Sequence, residues 1–325
     1  MNIVILDDYQ NCVHQLDAFA RLSGHEVTVH QKPLHGTEAL VHCLASADAL
    51  VLTRERTAVN AALLDRLPRL RLISAAGSLP GNLDLQACSE RGIAVADGHG
   101  TGAPTAELCW ALILASRRRL VEEVDSLRSG RWQGFLGQQL RGQRLGIWGY
   151  GRVGRQIAAY GRAFDMAVWV WGSEGSRARA QADGYGAAPS RAEFLACSDV
   201  LSLHLRLTPQ TEGGICAGDL LTMKADALFV NTARAELLAP GALLQALNAG
   251  RPGFAALDVF ENEPVLDIHH PLLRHPKVLA TPHIGFVERT NYESYFGIAF
   301  DNINRFAAGE TRHLLNADEL ARNGR

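Results

Sequence analysis

The chain has 325 residues, 47% of them hydrophobic and 20% charged, the profile of a folded globular protein too long for one small core. Its formal net charge of -2 offers no broad basic field for nucleic acid or an anionic membrane. Six scattered cysteines show neither CxxC pairs nor metal-ligand spacing, and no apolar run approaches the ~20 residues of a spanning helix. No metal, nucleic acid or membrane partner is therefore expected, and the unpaired cysteines suggest a reducing, cytoplasmic setting.

The opening stretch "MNIVILDDYQ" carries no basic leader and reads as a first strand rather than a signal peptide. Short apolar runs then alternate with helical patterns. Strands are expected over residues 3–6, 26–29, 49–53, 70–74 and 93–96, with helical stretches such as "LDAFARL" and "LVHCLASA" between them. One long helix is expected over residues 103–128, followed by the glycine- and glutamine-rich arm "SGRWQGFLGQQLRGQ". A second series of strands follows over 145–148, 167–171, 200–205, 227–231, 254–258 and 277–280, and a last helix over 288–308. This rhythm predicts an α/β protein of two doubly wound parallel-sheet domains.

The segment "LGIWGYGRVGRQIAAYGRAF" places Gly149, Gly151 and Gly154 in a G-x-G-x-x-G turn between a strand and a helix. Gly149 permits the tight turn, Gly151 lets backbone amides approach a diphosphate, and Gly154 lets the helix pack on the strand. Tyr150, Arg152 and Val153 fill the motif and are counted with it as cofactor-binding. The next strand ends at Trp171, where an acid would hold the adenosine ribose, but Gly172 follows. Ser173, Glu174, Arg177 and Arg179 come next. NAD or NADP both fit: the missing acid and the nearby arginines permit a 2′-phosphate and lean slightly to NADP, with Ser173 and Arg177 as cofactor contacts, while Glu174 pulls the other way, since it could face a ribose or repel a phosphate. The plain alternative puts these arginines on a solvated helix face.

Ligands of open α/β sheets bind at the carboxyl ends of strands. Those ends carry His204 and Thr208, then Asn231, Thr232, Ala233 and Arg234, then Asp258 and Glu263, then His283 and Gly285. Singly, each is more often solvated or structural than catalytic. Successive strands nevertheless bring an arginine, a glutamate and a histidine to one edge, which suits hydride transfer to a 2-keto acid. A guanidinium can grip the substrate, an imidazole can donate the proton, and a carboxylate can steady the imidazole. "LDIHHPLLRHP" reads as a structural loop despite its histidines.

The strings "LRLISAAG", "TAELCWALILA", "LGIWGYGRVGR", "SLHLRLTPQT", "ALFVNTARAELL", "AALDVFENEP" and "LATPHIG" resemble, in order, the D-isomer-specific 2-hydroxyacid dehydrogenases. The resemblance implies a Rossmann domain for NAD(P) over 99–285. It also implies a flavodoxin-like substrate-binding domain formed by 1–98 and 286–325. It makes Arg234 the substrate-binding residue, His283 the acid/base and Glu263 its partner. Asp258 then touches the nicotinamide carboxamide, and His204, Thr208, Thr232, Ala233 and Gly285 line the cofactor. Formate dehydrogenase-type members carry glutamine in place of that glutamate, so the acid points to a 2-keto acid reductase. Homodimerisation through the long helix and arm is also implied.

The substrate loop departs from the family pattern. In "GSLPGNLD", Leu79 stands where a second glycine is usual and Pro80 supplies no amide. The amides of Ser78 and Leu79 are expected to hold the substrate carboxylate. Arg54 matches a position that contacts substrate in phosphate-bearing relatives, and with Arg56 it suggests a second acidic group, a solvated arginine being the alternative. Two other functions compete: an NAD(H)-sensing binding protein of the corepressor type, and a relative acting on a non-keto-acid substrate such as phosphite.

Overall fold

The computed structural model describes residues 1–322; the last three of the expected substrate-domain segment lie outside the described residues. The chain divides into two compact units, Met1–Gly100 with Glu288–Arg325, and Thr101–Val287.

The first unit is built on five parallel strands: β1 (Asn2–Ile5), β2 (Glu26–Val29), β3 (Ala49–Thr53), β4 (Leu72–Ala76) and β5 (Ala94–Ala96). Their spatial order is β2-β1-β3-β4-β5, so the topological switch lies between β1 and β3. β3, β4 and β5 are buried along their whole length. Strands covered on both faces carry continuous apolar runs, as "ALVLT" and "LISAA" do. One face is covered by the helix Arg289–Ala307, which buries Tyr292, Phe296 and Phe300 at four-residue spacing. Ser74 donates its hydroxyl to the carbonyl of Ala299, tying β4 to that helix. The stretch containing "LDAFARL" forms two short 3-10 segments, Val13–Gln15 and Asp17–Leu22, in place of the expected α-helix.

The second unit holds seven parallel strands: β6 (Arg144–Trp148), β7 (Ala167–Trp171), β8 (Gly186–Ala187), β9 (Val200–Leu203), β10 (Leu228–Asn231), β11 (Phe254–Leu257) and β12 (Val278–Ala280). Their order is β12-β11-β10-β9-β6-β7-β8. The chain therefore winds outward twice from β6, the Rossmann pattern, with its switch between β6 and β9. β8 has two residues, too few for an apolar run to betray it.

The expected long helix is two helices, Ala103–Arg118 and Leu120–Arg128. Arg119 breaks it in the left-handed region at φ 50°, with its guanidinium 3.9 Å from the Phe135 ring centroid. Next to it, buried Arg117 donates to Gln138 and to the carbonyls of Asp199 and Asp226. These partners lie far along the chain, so helical periodicity alone runs straight through the break.

Candidate active site

The glycine turn fits a dinucleotide diphosphate, residue by residue. Gly149 has φ 102°, and a Cβ there would lie 2.7 Å from the carbonyl oxygen of His204. A Cβ on Gly154 would lie 2.2 Å from the carbonyl oxygen of Gly149, so only hydrogen lets the helix Arg152–Ala163 sit down on β6. Gly151 faces open space, with nothing within 4 Å of a Cβ. The two flanking glycines are thus required by packing, while the middle one leaves open space at a helix N-terminus, where an anion is favoured. Arg152 and Val153 pack beside Gly102. The Tyr150 side chain is buried in the core and donates to Asp183 at 2.8 Å, so only its backbone serves the turn.

Gly149 donates its amide to the carbonyl of Trp171, which sets the end of β7 beside the turn. Ser173 caps the helix Glu174–Ala182 by accepting from the Ser176 amide. Arg177 lies over the Trp171 ring at 4.8 Å, and Arg179 donates to Ser176 Oγ at 3.3 Å.

His204 follows β9 at the switch point. Its Nε2 is 2.9 Å from Ser202 Oγ, which in turn is 3.2 Å from Cys109 Sγ. Burial pulls the imidazole down to about 4, so it is neutral at neutral pH. Thr208 closes a small loop, its amide donating to Thr211 Oγ1 at 2.9 Å. Thr232 is buried directly after β10.

Three adjacent strands supply the remaining candidates at their carboxyl ends. At the end of β10, Asn231 folds the chain back: it donates to the Arg234 carbonyl at 2.8 Å and accepts from the Ala233 amide at 3.0 Å. Arg234 is partly exposed and donates to the Ala233 carbonyl at 2.6 Å. After β11, Glu263 uses both oxygens. Oε1 accepts from the Phe260 amide at 2.8 Å, and Oε2 meets His283 Nδ1 at 2.5 Å. Glu261 is exposed on the rim of the same loop.

After β12, His283 sits in the left-handed region at φ 50°, a conformation costing on the order of 1 kcal/mol for a residue with a Cβ. Asp258 holds that loop in place. Its carboxylate accepts from Thr281 Oγ1 at 2.6 Å and from the amides of Ile284 and Gly285 at 2.8 Å each. Burial pushes the Asp258 carboxyl above its ordinary value, against the pull of those three donors. A Cβ on Gly285 would stand 3.0 Å from Asp258 Oδ2, so glycine is what admits the carboxylate. With Nδ1 facing Glu263, Nε2 is the nitrogen left for proton transfer. Asp258 thus has a loop-bracing role beyond the nicotinamide contact expected of it. Thr105, which donates to the Gly285 carbonyl at 2.9 Å, and Ser202 and Cys109 behind His204, were not singled out from the sequence. Thr105 and Cys109 carry no local signal, since their partners lie far along the chain, whereas Ser202 stands two residues before His204, the spacing at which side chains of an extended segment share a face.

Arg54, Ser78 and Leu79 belong to the first unit. Arg54 has φ 57°, and its guanidinium lies against Gly77, 2.8 Å from where a Cβ would be. Ser78 is exposed. The Leu79 amide, expected to hold a carboxylate of the substrate, instead donates to Asp97 Oδ2 at 3.0 Å. A carboxylate of the protein occupies that donor because β5 delivers Asp97 beside the loop after β4.

Residues 110–285 match the family model of the D-isomer-specific 2-hydroxyacid dehydrogenase NAD-binding domain. A glyoxylate reductase from Aeropyrum pernix is 36% identical over 293 residues, covering 86% of each chain. Among solved structures, a protein assigned as a D-3-phosphoglycerate dehydrogenase oxidoreductase from Ralstonia solanacearum superposes with a TM-score of 0.95 at 47% identity, covering 98% of both chains. A phosphoglycerate oxidoreductase from Vibrio cholerae gives a TM-score of 0.93 at 48% identity, covering 95% of this chain and 99% of that one. With strand order, glycine turn, family model and relatives all in agreement, the chain belongs to the D-isomer-specific 2-hydroxyacid dehydrogenase family.

Proposed function

We propose that the protein reduces small 2-keto acids to D-2-hydroxy acids, with the unit Thr101–Val287 binding the nicotinamide coenzyme and the other unit binding substrate. The observation that carries this reading is the His283–Glu263 pair, set on a loop that Asp258 holds in a strained conformation. When bound, the nicotinamide supplies the hydride to the keto carbon. His283 Nε2 gives the proton to the carbonyl oxygen, so the products are the hydroxy acid and the oxidised coenzyme. Glu263 steadies the imidazolium before the transfer, and Arg234 grips the carboxylate and polarises the carbonyl.

The coenzyme we favour is NADPH. Gly172 stands where an acid would repel a 2′-phosphate, and Ser173, Arg177 and Arg179 surround that strand end. A homodimer fits the apolar surface of the helix Leu120–Arg128 and its arm, where Trp132 is 78% and Leu136 95% exposed. Six free cysteines suit a reducing cytoplasm.

The test is a panel of 2-keto acids with both reduced coenzymes, on the parent protein and on His283→Ala. Turnover by the parent is expected, with a loss of about 10²–10⁴-fold in the variant and coenzyme affinity retained. Normal turnover in His283→Ala refutes the assigned role. No turnover by the parent, with a partner protein captured only in the presence of NADH, turns the reading to a sensor.

A further inference from the structure

The charges around the substrate loop point to the kind of keto acid it receives. Two guanidiniums, Arg54 and Arg56, lie after β3, and the pair suggests a receiver for a second acidic group. Their partners tell against it. Arg56 is held on all sides: it donates to the Asp7 carbonyl at 2.5 Å, stacks 4.3 Å from the Tyr9 ring centroid, and engages the Tyr292 hydroxyl. Its charge faces the buried Asp7 carboxyl, which also accepts from Thr57 at 2.6 Å. Arg54 lies on Gly77 with its Nε 3.7 Å from Glu55, within 5.9 Å of the Tyr295 ring centroid. Asp97 sits at the same loop, on the amide of Leu79.

Both guanidiniums are thus already engaged, Arg56 by the Asp7 carbonyl and two tyrosines and Arg54 by Glu55, while Asp97 adds a carboxylate at the loop. At this loop one substrate carboxylate can still be met by the Ser78 amide. A phosphate or a second carboxylate would arrive where positive charge is already paired and would face Asp97. Like-charge juxtaposition of that kind is a strong means of rejecting a wrong ligand.

Resting on the reductase reading above, we infer that this protein selects 2-keto acids whose only anionic group is the carboxylate, and that Asp97 is the residue that turns away phosphorylated and dicarboxylic keto acids. Asp97 does so by holding a negative charge on the loop while fixing the Leu79 amide. Asp97→Asn keeps an acceptor for that amide and removes the charge.

The experiment compares kcat/KM for glyoxylate and hydroxypyruvate with kcat/KM for phosphohydroxypyruvate and oxaloacetate, in the parent and in Asp97→Asn. The parent is expected to prefer the monoacids by about a hundredfold, and Asp97→Asn to narrow that ratio about tenfold, through KM of the dianions. A parent that handles phosphohydroxypyruvate as efficiently as hydroxypyruvate overturns the inference and leaves the reductase reading standing. An unchanged ratio in Asp97→Asn overturns the role of Asp97. Absence of turnover with every acid, coenzyme still bound, overturns the reductase reading and the selectivity with it.

Discussion

Replacing Glu263 by glutamine tests whether its carboxylate serves the chemistry or only the loop. The glutamate satisfies two donors with two oxygens, the Phe260 amide at 2.8 Å and His283 Nδ1 at 2.5 Å. Glutamine has one acceptor oxygen. If that oxygen stays on Phe260, the amide nitrogen faces Nδ1 and forces the neutral tautomer with its hydrogen on Nε2. If the amide flips, the Phe260 N–H meets another N–H. Either outcome removes a hydrogen bond to a charged group, worth about 1.5–3 kcal/mol. The side chains are 22% and 31% exposed, and solvent screening places the effect toward the lower end of that range. The expected loss in kcat/KM for keto-acid reduction is therefore about ten- to thirtyfold. Initial rates at saturating coenzyme measure it, a coenzyme fluorescence titration shows that affinity is kept, and thermal unfolding shows that the fold is kept. A Glu263→Gln protein within about twofold of the parent, under the same conditions, would sink the argument that the carboxylate supports the imidazolium.

Gly154→Ala puts a methyl group 2.2 Å from the Gly149 carbonyl oxygen and should destabilise the Thr101–Val287 unit by about 1–3 kcal/mol while abolishing the thermal shift given by coenzyme. His204 takes up its proton only near pH 4 in the folded chain against 6.5 otherwise, so the unfolded state binds more protons between those values. Stability should therefore fall as pH drops from 6.5 toward about 4, and urea midpoints of His204→Asn should show a flatter acid limb. Leu127→Glu with Leu136→Glu places charge on the exposed apolar surface of the helix and arm and should convert a dimer to monomers by light scattering, whereas an unchanged mass rules that surface out as the interface.

What could be read from the chain alone was whatever is written in consecutive residues. Apolar runs bounded by turns announce parallel strands, and the eleven longer strands of three to five residues lie where such runs occur, shifted by a residue or two at their ends. The spacing of Gly149, Gly151 and Gly154 announces a tight turn feeding a helix, because the steric demand is local. Polar residues at the exits of β10, β11 and β12 single out Arg234, Glu263 and His283 as candidates for the same reason. The two-residue β8, the break at Arg119 and the 3-10 segments after β1 depend instead on what packs against them. So do the pairing of Asp97 with Leu79, the bracing of the His283 loop by Asp258, and the row from Cys109 through Ser202 to His204. Apart from the local contact of Ser202 with His204, each of those is a hydrogen bond or a charge placed by the return of the chain from a distant segment. A string of residues specifies donors and acceptors; only the folded sheet decides which of them meet, and hence which amide or carboxylate remains for a ligand.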